Sequence, residues 1–153
     1  MPQGATIHAS CVLVGEAGVL IRGASGSGKS SLAHLLLAEA AQPGGFARLV
    51  CDDRVRVEVR SGRLLARAVS PLEGCLEVRG VGLLAVPHEA AAVVRLVVDC
   101  LGDAPTRLPE AAEQTVAIEG VALPRLALRA EPTLARIVLW RLRDLYDTVV
   151  TER

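Results

Sequence analysis

"GVLIRGASGSGKSSLAHLLLAEAA", Gly18 to Ala41, decides how the rest of the chain is read. An apolar run from Gly18 to Ile21 gives way to a glycine-rich turn, then to a run of good helix formers closed off by Pro43. Strand, glycine loop and helix form the context in which G-x-x-x-x-G-K-[ST] binds phosphate, and Gly23–Ser30 fits that pattern at every position. Glycines at 23, 26 and 28 let the backbone curl so that its N–H groups face an anion, and a helix starting near Gly28 adds its positive end. Lys29 is the sole lysine among 17 lysine and arginine residues. A slim ammonium enters a slot between phosphates that a planar guanidinium does not fit. The Ser30 hydroxyl is the expected Mg²⁺ contact. A glycine-rich turn that merely precedes a helix is the plainer reading, and the flanking strand and helix argue against it.

Outward from this loop the chain is rich in valine and leucine runs broken by glycine and proline. Cys11–Gly15 reads as a strand joined to the Gly18–Gly23 run by a tight turn at Glu16-Ala17. "ARLVCDD", Ala47–Asp53, is a short apolar strand closing on two carboxylates. Arg54–Val69 alternates charged and apolar side chains and turns at Ser61-Gly62, the pattern of a hairpin with one wet face. "LEVRGVGLLAVP", Leu76–Pro87, reads as two short strands around a glycine loop, and Ala92–Leu101 as a buried strand. Thr115–Arg129 supplies one or two more, and Glu131–Val149 is a terminal helix with Pro132 near its first turn. Only Gln42–Ala47 and Gly102–Glu113 look like loops. The expectation is one α/β domain over residues 1–153, with many strands, few helices and much of the sheet antiparallel.

Composition narrows the function. Hydrophobic residues make up 51% of the chain and aromatics 2%, so the core is aliphatic. The 17 acidic residues balance the basic ones, which leaves no electrostatic footprint for nucleic acid or an anionic membrane. The apolar runs are too short to cross a bilayer, and no secretory signal opens the chain. A cytoplasmic protein is expected. Cys11, Cys51, Cys75 and Cys100 form no C-x-x-C pair and sit in apolar segments, so they read as buried free thiols.

A nucleotide site needs a further Mg²⁺ contact and, for transfer to a hydroxyl, a base. Asp52 and Asp53 follow the first strand after the loop's helix. Neighbours on a strand face opposite ways, so one can face the phosphates while the other braces a neighbour; a turn capped by an acidic pair is the simpler possibility. His8, fifteen residues before Gly23, is a second candidate, although a lone histidine is more often structural. His34 and His88 read as incidental. Glu77 and Arg79 are embedded in an apolar run, so they either pair with each other or face a polar site, and the site is the favoured reading.

Together these residues resemble the catalytic domain of HPr kinase/phosphorylase, the bacterial enzyme that acts on a serine of the phosphocarrier HPr. The family shows a His-Gly start, G-x-S-G-x-G-K-S, a "V-A-D-D" strand end, "L-E-I-R-G-L-G-I-I" and an "E-R-L" segment. This chain has "HA" at His8, "GASGSGKS" at Gly23, "VCDD" at Val50, "LEVRGVGLL" at Leu76 and "TRL" at Thr106, in that order. The resemblance implies a mixed β-sheet curled around the phosphate loop with helices on one side, as in phosphoenolpyruvate carboxykinases. It implies ATP and Mg²⁺ as cofactors, with Gly23, Ala24, Ser25, Gly26, Ser27, Gly28, Lys29, Ser30 and Ser31 around the nucleotide. Ser30 and Glu77 would bind Mg²⁺. One of Asp52 and Asp53, by preference Asp53, would accept the proton of the substrate serine, with His8 orienting it. Arg79 and Arg107 would stabilise the transferred phosphoryl group.

The same resemblance implies a protein serine kinase of the phosphotransferase system, acting on an HPr-type phosphocarrier and assembling as a homo-oligomer, a hexamer by family likeness. A non-catalytic ATP-sensing module is the rival reading. The chain departs from the family in three places. It starts seven residues before His8, like short forms without the N-terminal domain. Ser31 stands where many relatives carry an acid. A Pro-Gly-Arg-Asn-like segment tied to the reverse reaction is replaced by "LRAEPTLA", so weak or absent phosphorolysis is expected.

Overall fold

The computed structural model describes residues 4–40, 42–43, 45–102 and 109–151. Its centre is the strand that runs into the glycine loop. This strand, β3 (Ala17–Arg22), is buried from Ala17 to Ile21, as a continuous apolar run demands when both faces of a sheet are covered. It follows β1 (Ala5–Ile7) and β2 (Ala9–Val14) and pairs antiparallel with β2. Val14 lies opposite Ala17, so the connecting turn is Gly15-Glu16, one residue earlier than the sequence suggests.

Helix α1 (Lys29–Ala40) leaves the loop and delivers β4 (Ala47–Cys51) to the far edge of β2. The hairpin β5 (Val55–Arg60) and β6 (Arg63–Arg67) turns at Ser61-Gly62 as read from sequence, with Arg60 opposite Arg63. A second hairpin, β7 (Cys75–Val78) and β8 (Gly82–Ala85), forms a two-stranded sheet of its own. Then come β9 (Ala91–Leu101), β10 (Thr115–Ile118), β11 (Val121–Arg129) and α2 (Leu134–Thr151).

Among the described residues the main sheet has nine strands in the order β1-β5-β6-β9-β3-β2-β4, with β11 also on β9 and β10 on β11. Most of its pairs are antiparallel, as expected; β3–β9 and β9–β11 are parallel. The long strand β9 makes the sheet fork. One edge follows β3, whereas the other pairs with β6 at Ala91–Val93 and with β11 at Val97–Leu101. A forked, twisted sheet covers two cores. One lies under the helices, where Leu32 and Leu36 of α1 and Leu134 and Val138 of α2 meet Val19, Ile21, Leu96 and Val98. The other lies on the opposite face, where Leu20, Val50, Val57, Leu64 and Val97 pack together. Both helices therefore sit on one side of a mixed, curled sheet.

The Leu76–Pro87 run forms two short strands around a glycine loop, as read from sequence, and lies largely at the surface: Val81 and Leu83 are 66% and 65% exposed, and only Leu76 of this hairpin is fully buried. The reading of the cysteines needs correction. Of the four free cysteines, Cys11, Cys51 and Cys100 are buried but Cys75 is only half-buried. Burial pushes the thiol of Cys11 far up, and those of Cys51 and Cys100 up as well, which disfavours the nucleophilic thiolate at all three.

Candidate phosphate-binding and carboxylate site

The glycine loop closes on its own lysine. Lys29 Nζ donates to Gly23 O at 2.9 Å and to Ala24 O at 3.1 Å, and the residue is 5% exposed. An ammonium has three protons, so one remains for an anion above the loop. Two glycines are fixed by geometry. Gly26 has φ +80 and open space where a Cβ would be, which leaves its backbone bare to the cleft. Gly28 has φ +99, and a Cβ there would stand 2.6 Å from Ala130 Cβ. The segment after β11 thus packs directly on the loop. Ser27 Oγ is buried in this loop without a hydrogen-bond partner.

Strand β4 ends at Cys51, and the next two residues form a bend rather than more strand. Arg54 N–H donates to Asp52 O at 2.8 Å, and Asp53 has φ +66. That is a γ-turn with its centre in the left-handed region, a conformation that persists only when neighbours impose it. Strand alternation consequently does not apply here, and both carboxylates reach the same site. Asp52 Oδ1 accepts Ser30 Oγ at 2.8 Å and Ser10 Oγ at 2.9 Å, while Asp52 Oδ2 accepts Glu77 N–H at 3.1 Å. Asp53 lines the cleft, and its Oδ1 meets His8 Nε2. One carboxylate is tied to the loop helix; the other, beside an imidazole, is open to solvent.

The cleft has a volume of about 520 Å³. Ser25, Gly26, Gly28, Lys29, Ser30 and Ser31 form its loop side, and Glu77 and Arg79 of the small hairpin face them. No ion pair joins Glu77 to Arg79 among the described contacts, so of the two options for that pair the polar site is the one seen. Arg107, with Thr106, lies outside the described residues. Two residues that the sequence reading passed over belong to the neighbourhood. His34, taken as incidental, lines the cleft, and its position four residues after Ser30 puts both on one helix face. Ser10, on β2 two residues after the exposed bend at His8, is fully buried and bonds to both aspartates, a role no sequence spacing signals.

The donor set suits a hard cation on a polyphosphate. Ser30, Asp52 and Glu77 offer oxygen only, and no group of three or more His, Cys, Asp or Glu residues among the described ones could hold a metal alone. Mg²⁺ is commonly held by one or two carboxylates with phosphate oxygens completing its shell, so the residues fit Mg²⁺ with a nucleotide.

A sequence model of the HPr serine kinase C-terminal domain matches residues 1–94. The chain belongs to this family. The matched part carries the phosphate loop, both aspartates and the small hairpin. The HPr kinase/phosphorylase of Clostridium tetani is 38% identical over 81 residues, covering 53% of this chain and 25% of the relative. That of Clostridium beijerinckii is 39% identical over 80 residues, 52% of this chain and 24% of the relative. The chain thus spans about a quarter of the curated HPr kinase/phosphorylases it matches. The solved Hpr(Ser) kinase/phosphatase from Coxiella burnetii superposes with a TM-score of 0.78 at 22% identity, covering 95% of this chain and 98% of that one. The likeness in fold to that kinase/phosphatase covers 95% of this chain, beyond the residues matched by the family model. No helix among the described residues is long and apolar enough to cross a membrane.

Proposed function

We propose that this protein is an ATP- and Mg²⁺-dependent serine kinase acting on an HPr-type phosphocarrier of the phosphotransferase system. The observation that carries the reading is the division of the aspartate pair: Asp52 sits on Ser30 of the phosphate loop, while Asp53 sits beside His8 and opens to the cleft. Lys29 and the loop N–H groups hold the phosphates. Mg²⁺, when bound, neutralises charge on the β- and γ-phosphates. Ser30, Asp52 and Glu77 are the residues to hold it. Asp53 takes the proton of the acceptor serine as the serine oxygen bonds to phosphorus and the bond to the ADP oxygen breaks. His8 orients the Asp53 carboxylate, and Arg79 and Arg107 stabilise the phosphoryl charge. An ATP-sensing module needs the loop but has no use for the His8–Asp53 pair.

The reading includes a cytoplasmic homo-oligomer, hexameric by family likeness, in which phosphorolysis is weak. The test is incubation with labelled ATP, Mg²⁺ and an HPr-type protein. Acid-stable label on a serine of that protein is the expected result; tight ATP binding with no label transferred overturns it.

A further inference from the structure

Ser10 is fully buried, and its hydroxyl both donates and accepts. It donates its single proton to Asp52 Oδ1 at 2.9 Å and accepts the Asp53 N–H at 3.0 Å. It is therefore joined to the side chain of one aspartate and the backbone of the next. The second contact falls on the centre of the γ-turn, where an L residue is held at φ +66. Such a turn relaxes unless something over-determines it. Arg54 N–H on Asp52 O closes the turn from one side, and Ser10 Oγ on Asp53 N–H fixes it from the other. Remove the hydroxyl and the Asp53 N–H loses its acceptor, while Asp52 Oδ1 keeps only Ser30. The turn is then free to rotate, and Asp53 to leave His8.

We propose that Ser10 is a positioning residue whose hydroxyl locks the Asp53 turn, so that adjacent carboxylates take separate duties, Asp52 toward Ser30 and Asp53 toward His8. Its catalytic consequence rests on the kinase reading; the lock itself does not. Ser10 touches neither nucleotide nor acceptor in this scheme and acts only through the two aspartates.

The test uses the full chain carrying Ser10→Ala or Ser10→Thr, with two readouts. The first is amide hydrogen exchange at Asp53, followed by NMR without any ligand. Exchange in Ser10→Ala should be at least about tenfold faster than in wild type, with the amides of Leu20 and Ile21 unchanged. Equal protection of the Asp53 amide overturns the lock. The second is phosphoryl transfer. In Ser10→Ala kcat should fall about 10- to 100-fold while KM for ATP stays within about twofold, because positioning of the base and not nucleotide binding is lost. On an Asp53→Asn background, Ser10→Ala should cost less than about a further twofold. A full additional loss on that background means that Ser10 acts independently of Asp53 and overturns the proposal. Ser10→Thr keeps the hydroxyl and should retain both properties; slow transfer in Ser10→Thr with the Asp53 amide still protected overturns it too. A wild-type protein that labels no phosphocarrier defeats the kinase reading instead, and the exchange measurement alone then decides the role of Ser10.

Discussion

Lys29 shows how much a single side chain depends on the space around it. Its ammonium is held by two loop carbonyls in a position that is 5% exposed, so the slot accommodates a slim chain ending in a point charge. A guanidinium brings a planar fork that cannot satisfy both carbonyls and an anion in that volume. Lys29→Arg should therefore lose ATP binding nearly as fully as Lys29→Ala, and titration calorimetry showing wild-type affinity in Lys29→Arg would end this account. The aspartates separate by the same reasoning. Asp53→Asn should leave ATP affinity intact and reduce transfer by about 100-fold or more, the scale of a lost general base. Asp52→Asn should instead weaken Mg²⁺-dependent ATP binding, because two hydroxyls and the Glu77 N–H converge on that carboxylate. Comparing ATP affinity with and without Mg²⁺ in the two variants checks the assignment; the opposite pattern reverses it. The loop and the acidic pair were legible in sequence because their chemistry is local. Ser10 was not, because its role depends on a left-handed turn forty-three positions away that no periodicity announces.

At one junction of three strands, charge takes over from apolar contact. Strands β3, β9 and β11 are joined by Asp99, which accepts Arg22 at 2.8 and 2.9 Å and Arg125 at 2.5 Å. Arg22 immediately precedes Gly23, so this triad anchors the strand from which the phosphate loop springs. Burial alone would raise the Asp99 carboxyl, but the hydrogen bonds and charges of both arginines outweigh it and hold the group below the usual carboxylate range. A carboxylate depressed in the folded state adds stability above its unfolded pKa of about 3.9, and that stability is lost as pH falls through the folded value. Asp99→Asn should thus be less stable than wild type by about 1–3 kcal/mol at pH 7, the range for hydrogen bonds to charged groups. Below about pH 4 the difference should shrink toward zero. Urea melts across that range check both signs, and a gap that does not narrow in acid would exclude the carboxylate as its source. The β7–β8 hairpin is the contrasting case. Leu76–Pro87 is an apolar run in sequence, but Arg79, Gly80 and Gly82 mark the turn of a hairpin that forms a small sheet of its own, apart from the main one. Leu83→Ser should therefore change stability by less than about 0.5 kcal/mol, as for surface positions generally; a larger drop in the urea midpoint would mean that Leu83 is covered in solution.

At the scale of the molecule, most strands could be read from sequence because short apolar runs end at Gly, Pro or Asp. Their order could not. Only the length of β9, which serves β3 on one edge and both β6 and β11 on the other, forks the sheet and brings the end of β11 back to the phosphate loop. That return bears on the direction of the reaction. Reversal requires inorganic phosphate to enter the cleft and attack the phosphoserine, so a second cationic contact is needed beside Lys29 and the loop N–H groups. The segment that abuts the loop is Arg129-Ala130-Glu131-Pro132, and it presents the small Ala130 against Gly28. The Pro-Gly-Arg-Asn-like segment that the resemblance ties to the reverse reaction has no match here, where the chain reads "LRAEPTLA" from Leu128 to Ala135. Glu131, exposed and next in sequence to Ala130, adds negative charge beside the loop rather than a cation, and like charges repel by about 1 kcal/mol at about 4 Å even in water. We therefore expect the phosphoserine form of the phosphocarrier, mixed with this protein, Mg²⁺ and millimolar phosphate, to release pyrophosphate slowly relative to the forward rate. Glu131→Arg should raise that reverse rate while leaving forward transfer within about twofold, because it supplies charge for phosphate without touching Lys29, Asp52 or Asp53. Pyrophosphate released by wild type as fast as ADP forms in the forward assay would show that phosphate is held by other groups, and the electrostatic account of direction would fall.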